Sequence, residues 1–364
     1  MTKTSTLTIG IDLGDEYSQV CILDADAYVV EEGRIRTTAA ALRGRFSGLE
    51  PSLVIMEAGT HSPWLSRLLA ELGHECLIAN PASLHQKGRK KNDRVDAEKL
   101  ARWGRSDPEM LAPIQHAGAA IQAEMAIVHS RRSLVEVRTK LINRTRGLVK
   151  SFGGRLPKCD ADYFAVKVRD FVPDQLAAAV EPLLLSIGLL TQQIKALEQQ
   201  IDALVEGKYA RASQRLRQVK GVGPITALSF ILTIREPERF RKSRQVGPYL
   251  GLTRRQDQSG ESDLEHSISK AGNTYLRQLL VQSAHHVLER GPDTDIKRWG
   301  LRKAAGSKKA KKRAVVAVAR KLAVLLHHLW GSGQAYQPLR GAPQVTGSPP
   351  EAESVAALSR SSTP

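Results

Sequence analysis

Aromatic residues make up only 5% of this 364-residue sequence, so its cores must be built mainly from Leu, Val, Ile and Ala. Cysteine is scarce as well, because Cys21, Cys76 and Cys159 are far apart and form no CxxC pair. This usage argues against a zinc site and indicates a reducing cytoplasm. No stretch approaches the roughly 18 to 20 apolar residues that span a bilayer, and the start, MTKTSTLTIG, lacks the pattern of a signal peptide. The sequence therefore predicts a cytoplasmic protein without a membrane segment.

Acidic residues are few relative to basic ones, with 37 Asp and Glu against 54 Lys and Arg, a formal net charge of +17. Such an excess favours a polyanionic partner, because neutralising phosphates releases their counterions. Nucleic acid is the polyanion that this charge indicates, so we expect a nucleoid-associated protein. The length suffices for two or three domains.

The first third of the sequence alternates strand and helix patterns. TLTIGIDLG has the two-residue period of a half-buried strand, and two further strand candidates, YSQVCILDAD and AYVVEEGRI, follow at hairpin spacing. Helix, strand, helix and strand patterns then lead to one more helix. This order predicts an α/β domain over residues 1–110.

The remainder is predicted to be helical. Residues 118–149 form a basic helix, and a heptad seam of apolar residues follows it: Val180, Leu183, Ile187, Leu190, Ile194, Leu197, Ile201 and Leu204. A seam of this kind requires a partner helix, which is either the basic helix folding back or the same helix of another subunit. We therefore expect a coiled-coil region over 111–210, a mostly helical domain over 211–332 and a disordered tail over 333–364.

Acidic residues occur at two strand ends and in one basic segment. Asp12 ends the first strand, Glu57 ends the fourth, and GRKKNDRVDAEKLAR places Asp93 and Asp96 on one helix face. Four carboxylates that converge require cations, and Mg²⁺ prefers carboxylate oxygen. Two such ions would clamp the oxygens of a phosphoryl transfer. Asp15 competes with Asp12 for the first position, and Asp93 is alternatively an N-cap in a solvated helix where Glu98 pairs with Arg102.

Two further motifs lie in the C-terminal third. LRQVKGVGPITALSFIL has a glycine turn, Gly221 to Gly223, before a helix that begins at Pro224, and it resembles a helix-hairpin-helix that receives a phosphate oxygen. Plain packing of two helices is the alternative. Downstream, a polar loop contains Ser259 before Gly260, close to Arg254 and Arg255. Arginines neutralise charge when a serine attacks a phosphodiester, but the residues alone leave Ser262, Ser267 and Ser269 as equal candidates.

Six segments, taken in order, resemble the insertion sequence 110 family of transposases. They are IGIDLG, MEAGT, KNDRVDAEKLAR, VKGVGPITA, FRKSRQVGPYLGLTRRQDQSG and ISKAGNTYLRQLLVQSA. The resemblance implies a RuvC-like, RNase H-like N-terminal domain whose DEDD tetrad is Asp12, Glu57, Asp93 and Asp96. It also implies that Ser259 is the nucleophile. The sequence departs from the pattern just after this serine, where acidic residues replace the usual bases.

The resemblance also implies Mg²⁺-dependent strand exchange that is guided by a structured RNA from the element's noncoding end. This RNA pairs with both donor and target DNA. Members act as homo-oligomers, here a dimer or tetramer, with active sites drawn from two subunits. Basic residues expected to contact phosphates are Arg89, Lys90, Lys91, Arg131, Arg144, Arg254, Arg255, Lys308, Lys309 and Lys311.

Three other functions are weighed against this one. A RuvC-like junction resolvase would use the tetrad alone with water and would need no long C-terminal domain. IGIDLGDEYS also resembles the first phosphate loop of actin-like ATPases and sugar kinases, but a second glycine-rich phosphate loop is missing from the sequence. A degenerate RNA-binding protein is disfavoured by intact acids at all four tetrad positions.

Overall fold

The computed structural model describes residues 7–81, 93–255, 258–259, 262–263 and 267–339. The side chains of Asp93, Gln258, Ser259, Ser262 and Asp263 lie outside that description, as do Arg89, Lys90, Lys91 and the predicted disordered tail from residue 340 on. The chain forms two compact units, Met1–Gln122 and Ala123–Pro364.

The first unit is a mixed α/β structure, as the sequence predicts. Its elements are β1 (Thr8–Asp12), β2 (Tyr17–Leu23), β3 (Val29–Arg36), α1 (Ala39–Phe46), β4 (Leu53–Glu57), α2 (Ser62–Glu71), β5 (Glu75–Ala79) and α3 (Asp93–Ser106). The five strands lie in the order β3-β2-β1-β4-β5. β1 is antiparallel to β2 and parallel to β4, and β4 is parallel to β5.

The two-residue period of the strands divides this sheet into two buried faces. Ile9 and Ile11 of β1, with Val54 and Met56 of β4, pack in one cluster with residues of α1 and α2. Ile55, of the opposite phase, packs with residues of α3 instead. α3 therefore covers the face that also carries Thr8, Gly10 and Asp12.

The second unit is helical. It comprises most of α4 (Ala119–Ser151), and α5 (Phe164–Lys167), α6 (Ala177–Glu206), α7 (Ala210–Arg217), α8 (Pro224–Ile234), α9 (Val246–Tyr249), β6 (Gln258–Ser259), β7 (Ser262–Asp263), α10 (Thr274–Glu289), α11 (Asp295–Ala304) and α12 (Lys308–Ser332). α8 is buried from Thr226 to Ile234 and packs with α7, α10 and α12 in the main core.

α4 folds back on α6. Of the two partners that the seam left open, the basic helix of the same chain is therefore one that α6 contacts. Arg131 donates to Glu198 Oε1 (2.9 Å from Nε), and Arg138 Nη1 donates to Thr191 Oγ1 (3.1 Å). A step of seven residues forward in α4 is thus a step of seven backward in α6, so the pair is antiparallel.

The phase of the predicted seam is partly wrong. Val180, Ile187, Ile194 and Ile201 are buried as expected, whereas the other four predicted positions, Leu183, Leu190, Leu197 and Leu204, are only half-buried. Leu184, Thr191 and Val205 are buried in their place. The polar residues Thr191 and Glu198 occupy this seam because they accept hydrogen bonds from the arginines of α4.

Two helices, Asp174–Glu206 and Lys308–Ser332, are long and apolar enough to cross a membrane by length and composition, with a mean hydropathy of 1.3. Charged and polar residues interrupt both helices, so neither is an unbroken apolar run of 18 residues. Both helices have other reasons to be apolar. α12 contributes Val318, Leu322 and Leu326 to the main core, and α6 packs against α4.

Candidate active site

Asp12 and Glu57 are adjacent at the carboxyl edge of the sheet. β1 and β4 are parallel, and their last registered pair, Ile11 with Met56, is followed in each strand by the carboxylate residue. Neighbouring strands lie about 4.8 Å apart. Both acids follow residues that face α1 and α2, so both belong to the face that α3 covers.

α3 crosses this face antiparallel to β1. Near its end, Arg105 Nη1 donates to Thr8 Oγ1 (3.3 Å) at the start of β1. In its middle, Ala97 and Ala101 lie against Gly10, where an added Cβ would be 2.0 Å from the Ala97 carbonyl oxygen. The first turn of α3 therefore lies toward the end of β1 that carries Asp12.

That first turn contains Asp93 and Asp96. Asp93 is the first residue of the helix as described. It is therefore not the N-cap of a helix that begins at Arg94, which was the alternative interpretation. Asp96 is half-buried and accepts from Lys99 Nζ (2.9 Å), and the predicted pair of Arg102 with Glu98 is confirmed at 2.8 Å. The fold thus brings Asp12, Glu57 and the turn with Asp93 and Asp96 to one sheet edge. Among the side chains described, no three of His, Cys, Asp or Glu are grouped closely enough to hold a metal ion.

The loops beside this edge contain a hydrogen-bonded chain that sequence reasoning missed. Trp64 Nε1 donates to His61 Nδ1 (3.0 Å), so the proton of a neutral His61 is on Nε2, which lies 3.3 Å from Asp15 Oδ1. Asp15, the competitor of Asp12, is thus engaged in the loop after β1. Ser62 Oγ bonds to His116 Nε2 (2.8 Å) in the same region. The only signal in the sequence was two histidines near strand ends.

Ser259 lies in a short antiparallel pair of strands, where a polar loop was expected. It ends β6 and pairs with Ser262 of β7. Below this pair, the amide of Arg255 donates to Ser267 O (3.2 Å) and the amide of Ser269 donates to Thr253 O (2.8 Å). We call the described residues of this segment, 251–255, 258–259, 262–263 and 267–272, the serine hairpin.

The base of the serine hairpin is closed by two glycines. Gly251 (φ +65°) lies against Ala271, where a Cβ would be 2.3 Å from the Ala271 amide nitrogen. Gly272 (φ +69°) lies against Tyr249, where a Cβ would be 2.2 Å from the Tyr249 carbonyl oxygen. Left-handed φ values and this lack of space both require glycine.

Arg277 of α10 fastens the same base. It is buried, and Nη1 donates to the carbonyl oxygens of Leu250 (3.1 Å) and Ala271 (2.7 Å), one on each side of the hairpin. Burial lowers the pKa of Arg277. Sequence reasoning missed this residue, although an arginine inside the apolar pattern YLRQLLVQSA was a signal.

The predicted phosphate contacts fall in several places. Gly221 (φ +97°) turns the chain between α7 and α8, and Gly223 is the N-cap of α8, which begins at Pro224 as predicted. Arg131 is paired with Glu198. The remaining described positions are exposed: Arg144, Arg254, Arg255, Lys308, Lys309 and Lys311.

The three cysteines are free thiols. Burial raises the pKa of Cys21 to about 11 and that of Cys76 to about 12. A thiol with so high a pKa supplies little thiolate at neutral pH, so these two side chains are poor nucleophiles.

Family comparisons match both halves of the chain. Residues 9–153 match the family model DEDD_Tnp_IS110, described as a transposase. Residues 213–298 match the model described as "Transposase IS116/IS110/IS902 family".

Individual relatives agree. The chain is 34% identical over 289 residues to the "Probable family 20 transposase" of Pseudomonas aeruginosa, which covers 77% of this chain and 83% of the relative. It is 28% identical over 263 residues to the transposase for insertion sequence element IS1328 of Yersinia enterocolitica, covering 68% and 77%. It is 26% identical over 336 residues to the transposase for insertion sequence element IS1111A of Coxiella burnetii, covering 90% and 91%.

Proposed function

The chain belongs to the IS116/IS110/IS902 family of insertion-sequence transposases and is a DNA-processing enzyme, and on this premise we propose that it exchanges DNA strands by a serine nucleophile together with a metal-binding carboxylate site. One observation carries the proposal. Asp12, Glu57 and the first turn of α3, which contains Asp93 and Asp96, lie toward one edge of the sheet, although they are spread over 85 positions of the sequence.

The carboxylates Asp12, Glu57, Asp93 and Asp96 are the residues that would hold Mg²⁺. Their fit is supported by the donor set, which is all carboxylate oxygen, and by the shared edge and face of the sheet. Asp96 is held by Lys99, which shields one negative charge from its neighbours. When bound, Mg²⁺ supplies a positive charge that stabilises the oxygens of a phosphoryl transfer.

Ser259 would attack the phosphodiester. Its Oγ gives up a proton and bonds to phosphorus, the phosphorus–oxygen bond to one DNA strand breaks, and the leaving oxygen takes up a proton. The resulting phosphoserine is resolved when a hydroxyl of the other DNA partner attacks phosphorus and Ser259 leaves. Support comes from the pairing of Ser259 in the serine hairpin and from the rigid base of that hairpin.

A guide RNA and a homo-oligomer, dimer or tetramer, complete the proposal. The net charge of +17 supports binding of more than one nucleic acid. Lys308, Lys309 and Lys311 stand in the first turns of α12, where the helix dipole is also positive, so an anionic partner would stabilise this arrangement. These lysines, Arg144, Arg254, Arg255 and the turn at Gly221 and Gly223 are the proposed backbone contacts. Arg131 would contact a phosphate only by leaving Glu198.

A resolvase that cuts with water at the carboxylate site alone is the second candidate, because that edge of the sheet is assembled within the first unit by itself.

The test mixes the protein, RNA transcribed from the element's flanking noncoding DNA, labelled target DNA and Mg²⁺, and the products are separated on a denaturing gel. We expect a protein-linked band that disappears on proteolysis and in Ser259→Ala, but persists in Ser267→Ala. Cutting without a linked band, lost in Asp12→Asn and retained in Ser259→Ala, would establish the resolvase.

A further inference from the structure

A basic segment outside every motif discussed so far lies between α8 and α9. Residues 235–244 contain five basic residues and two acidic ones. The basic residues are Arg235, Arg239, Arg241, Lys242 and Arg244. All but Arg235 are exposed, and these four form no ion pair within the described part of the chain. This surface carries more basic residues than Glu236 and Glu238 can neutralise, and such an excess of positive charge favours an anion.

Contacts with α12 fix the backbone of the segment. His327 of α12 is buried, and its Nε2 donates to Pro237 O (2.9 Å) while its Nδ1 accepts from the Ser243 hydroxyl (2.9 Å). The ring of Phe240 packs edge-on against His327, with centroids 5.6 Å apart. The backbone that carries the basic side chains is thus fixed at both ends before any ligand binds, which lowers the entropy lost on binding.

Two arginines, Arg235 and Arg239, stand near the start of the segment. Arg235 is the C-cap of α8, and its positive φ of +70° is strained for a residue with a side chain. The pKa of Arg235 is lowered by burial and then by the positive charge of Arg239. Two arginines in range of each other's charge are a recurrent way to bind phosphate oxygens.

Arg239 also connects the segment to the serine hairpin. Its guanidinium stacks 5.0 Å from the ring centroid of Tyr249 and donates to the Tyr249 hydroxyl (3.3 Å). Tyr249 is the residue whose carbonyl packs against Gly272 at the base of the hairpin. The basic segment therefore lies beside the base of the structure that carries Ser259.

From these contacts we propose that residues 235–244, with Arg239 at their centre, bind the phosphate backbone of the DNA that flanks the position attacked by Ser259. The proposal rests on the proposed function, because it takes DNA at Ser259 as the substrate. The eight residue steps from Gly251 to Ser259 span at most about 27 Å when extended. The path from Arg239 through Tyr249 to Gly251 adds to this span, so at about 3.4 Å per base pair the contacted phosphates lie within about twelve base pairs of the attacked one.

The first experiment measures binding without chemistry. In full-length protein carrying Ser259→Ala, the affinity for a labelled 40-base-pair duplex of random sequence is titrated against salt. Arg239→Gln should weaken binding about tenfold and lower the slope of log K against log salt by about one, as expected for one lost phosphate contact. Arg211→Gln, the same charge change at an exposed arginine of α7, is the matched control and should have less than a twofold effect.

Equal effects of Arg239→Gln and Arg211→Gln would overturn the proposal, as would an effect on RNA of the same length but not on DNA. If Arg239→Gln lowers the melting temperature, Arg241→Gln and Arg244→Gln replace it, because these exposed side chains have no described partner whose loss would disturb the fold. Arg239→Lys should recover part of the affinity, since it restores the charge without the planar stacking.

The second experiment locates the contact. With Ser259 intact, phosphates protected in the protein-linked DNA are mapped for wild type and for Arg239→Gln. Protection lost only in the variant should lie within about twelve base pairs of the linked phosphate, by the reach given above. Protection lost farther away would contradict the proposal, even if the covalent link is found. Conversely, if Arg239→Gln weakens DNA binding but no covalent link is found in wild type, the basic segment still binds DNA and the serine mechanism is wrong.

Discussion

Gly10 of β1 lies so close to Ala97 of α3 that a Cβ on Gly10 would be 2.0 Å from the Ala97 carbonyl oxygen. This contact fixes the height of α3 over the sheet, and hence the height of its first turn over Asp12 and Glu57. A similar approach occurs at Gly104, where a Cβ would be 2.2 Å from Ile55 Cγ1. Small residues thus set the geometry of the carboxylate edge.

Gly10→Ala should therefore damage both stability and activity. The methyl group meets backbone and cannot be accommodated by a rotamer change, so overpacking should cost roughly 1–3 kcal/mol or more. The midpoint of urea unfolding followed by a probe in the first unit measures it. Gly33→Ala, in β3 with no atom within 4 Å of the added Cβ, is the control. Equal midpoints for the two variants would show that α3 does not rest on Gly10.

Mg²⁺ should stabilise the protein through Asp12 and not through Asp15. At 100 times its Kd, a ligand that binds only the folded state stabilises it by about 2.7 kcal/mol. We expect the melting temperature of wild type to rise with Mg²⁺, and that of Asp12→Asn to stay constant. Asp15→Asn should respond as wild type does, since Asp15 is paired with His61. A response lost in Asp15→Asn would move the metal site to the loop after β1.

Arg277→Met should loosen the serine hairpin. It leaves the carbonyls of Leu250 and Ala271 without their donor, at a cost of roughly 1–3 kcal/mol for each buried group left unsatisfied. Hydrogen exchange at the amides of Ser269 and Lys270 should accelerate, and strand exchange should fall.

Gln278→Met, at the next and exposed position of α10, is the matched control for Arg277→Met. It should change neither quantity. If Arg277→Met accelerates amide exchange but leaves strand exchange at the wild-type rate, a rigid base is not needed for the reaction.

Leu184→Ala should destabilise the α4–α6 pair more than Leu183→Ala. Leu184 is buried in the seam, and Leu183 is half-buried beside it. Truncating a buried leucine costs about 2–5 kcal/mol, and the loss should be less than half of that at Leu183. Chemical denaturation followed in the second unit compares the two, and the reverse order would restore the phase predicted from the heptads.

His327 should make the second unit less stable in acid. Burial lowers its pKa below the usual value of 6.5, so the unfolded state binds more protons than the folded one as the pH falls through 6.5. The stabilisation from neutral His327 is thus complete above that pH and lost below it. The decrease in stability from pH 7 to pH 5.5 should be smaller in His327→Gln than in wild type. In His285→Gln, which alters an exposed histidine, the decrease in stability should be as large as in wild type.

Much of the fold was predictable because the relevant patterns are local. The succession of strands and helices along the first unit follows from two-residue and 3.6-residue periods, and the family follows from motifs in a fixed order. The order of the strands in the sheet was not predicted. The serine hairpin was missed as structure because its strands are short and polar. Its rigidity comes from Arg277, which follows the hairpin in the sequence and reaches back to both of its ends.

The sequence by itself determined an α/β unit followed by helices and the membership of a transposase family, and by resemblance it named the residues proposed for the site. Tertiary structure decided how those residues meet. The direction of α3 depends on Gly10 finding Ala97 and Ala101, a fit between distant segments that no local period contains. The phase of α6 depends on its partner as well. Leu183 and Leu184 satisfy a heptad equally, and the face that is buried is the one that packs on Ile142 and Val149 of α4 and accepts hydrogen bonds from Arg131 and Arg138.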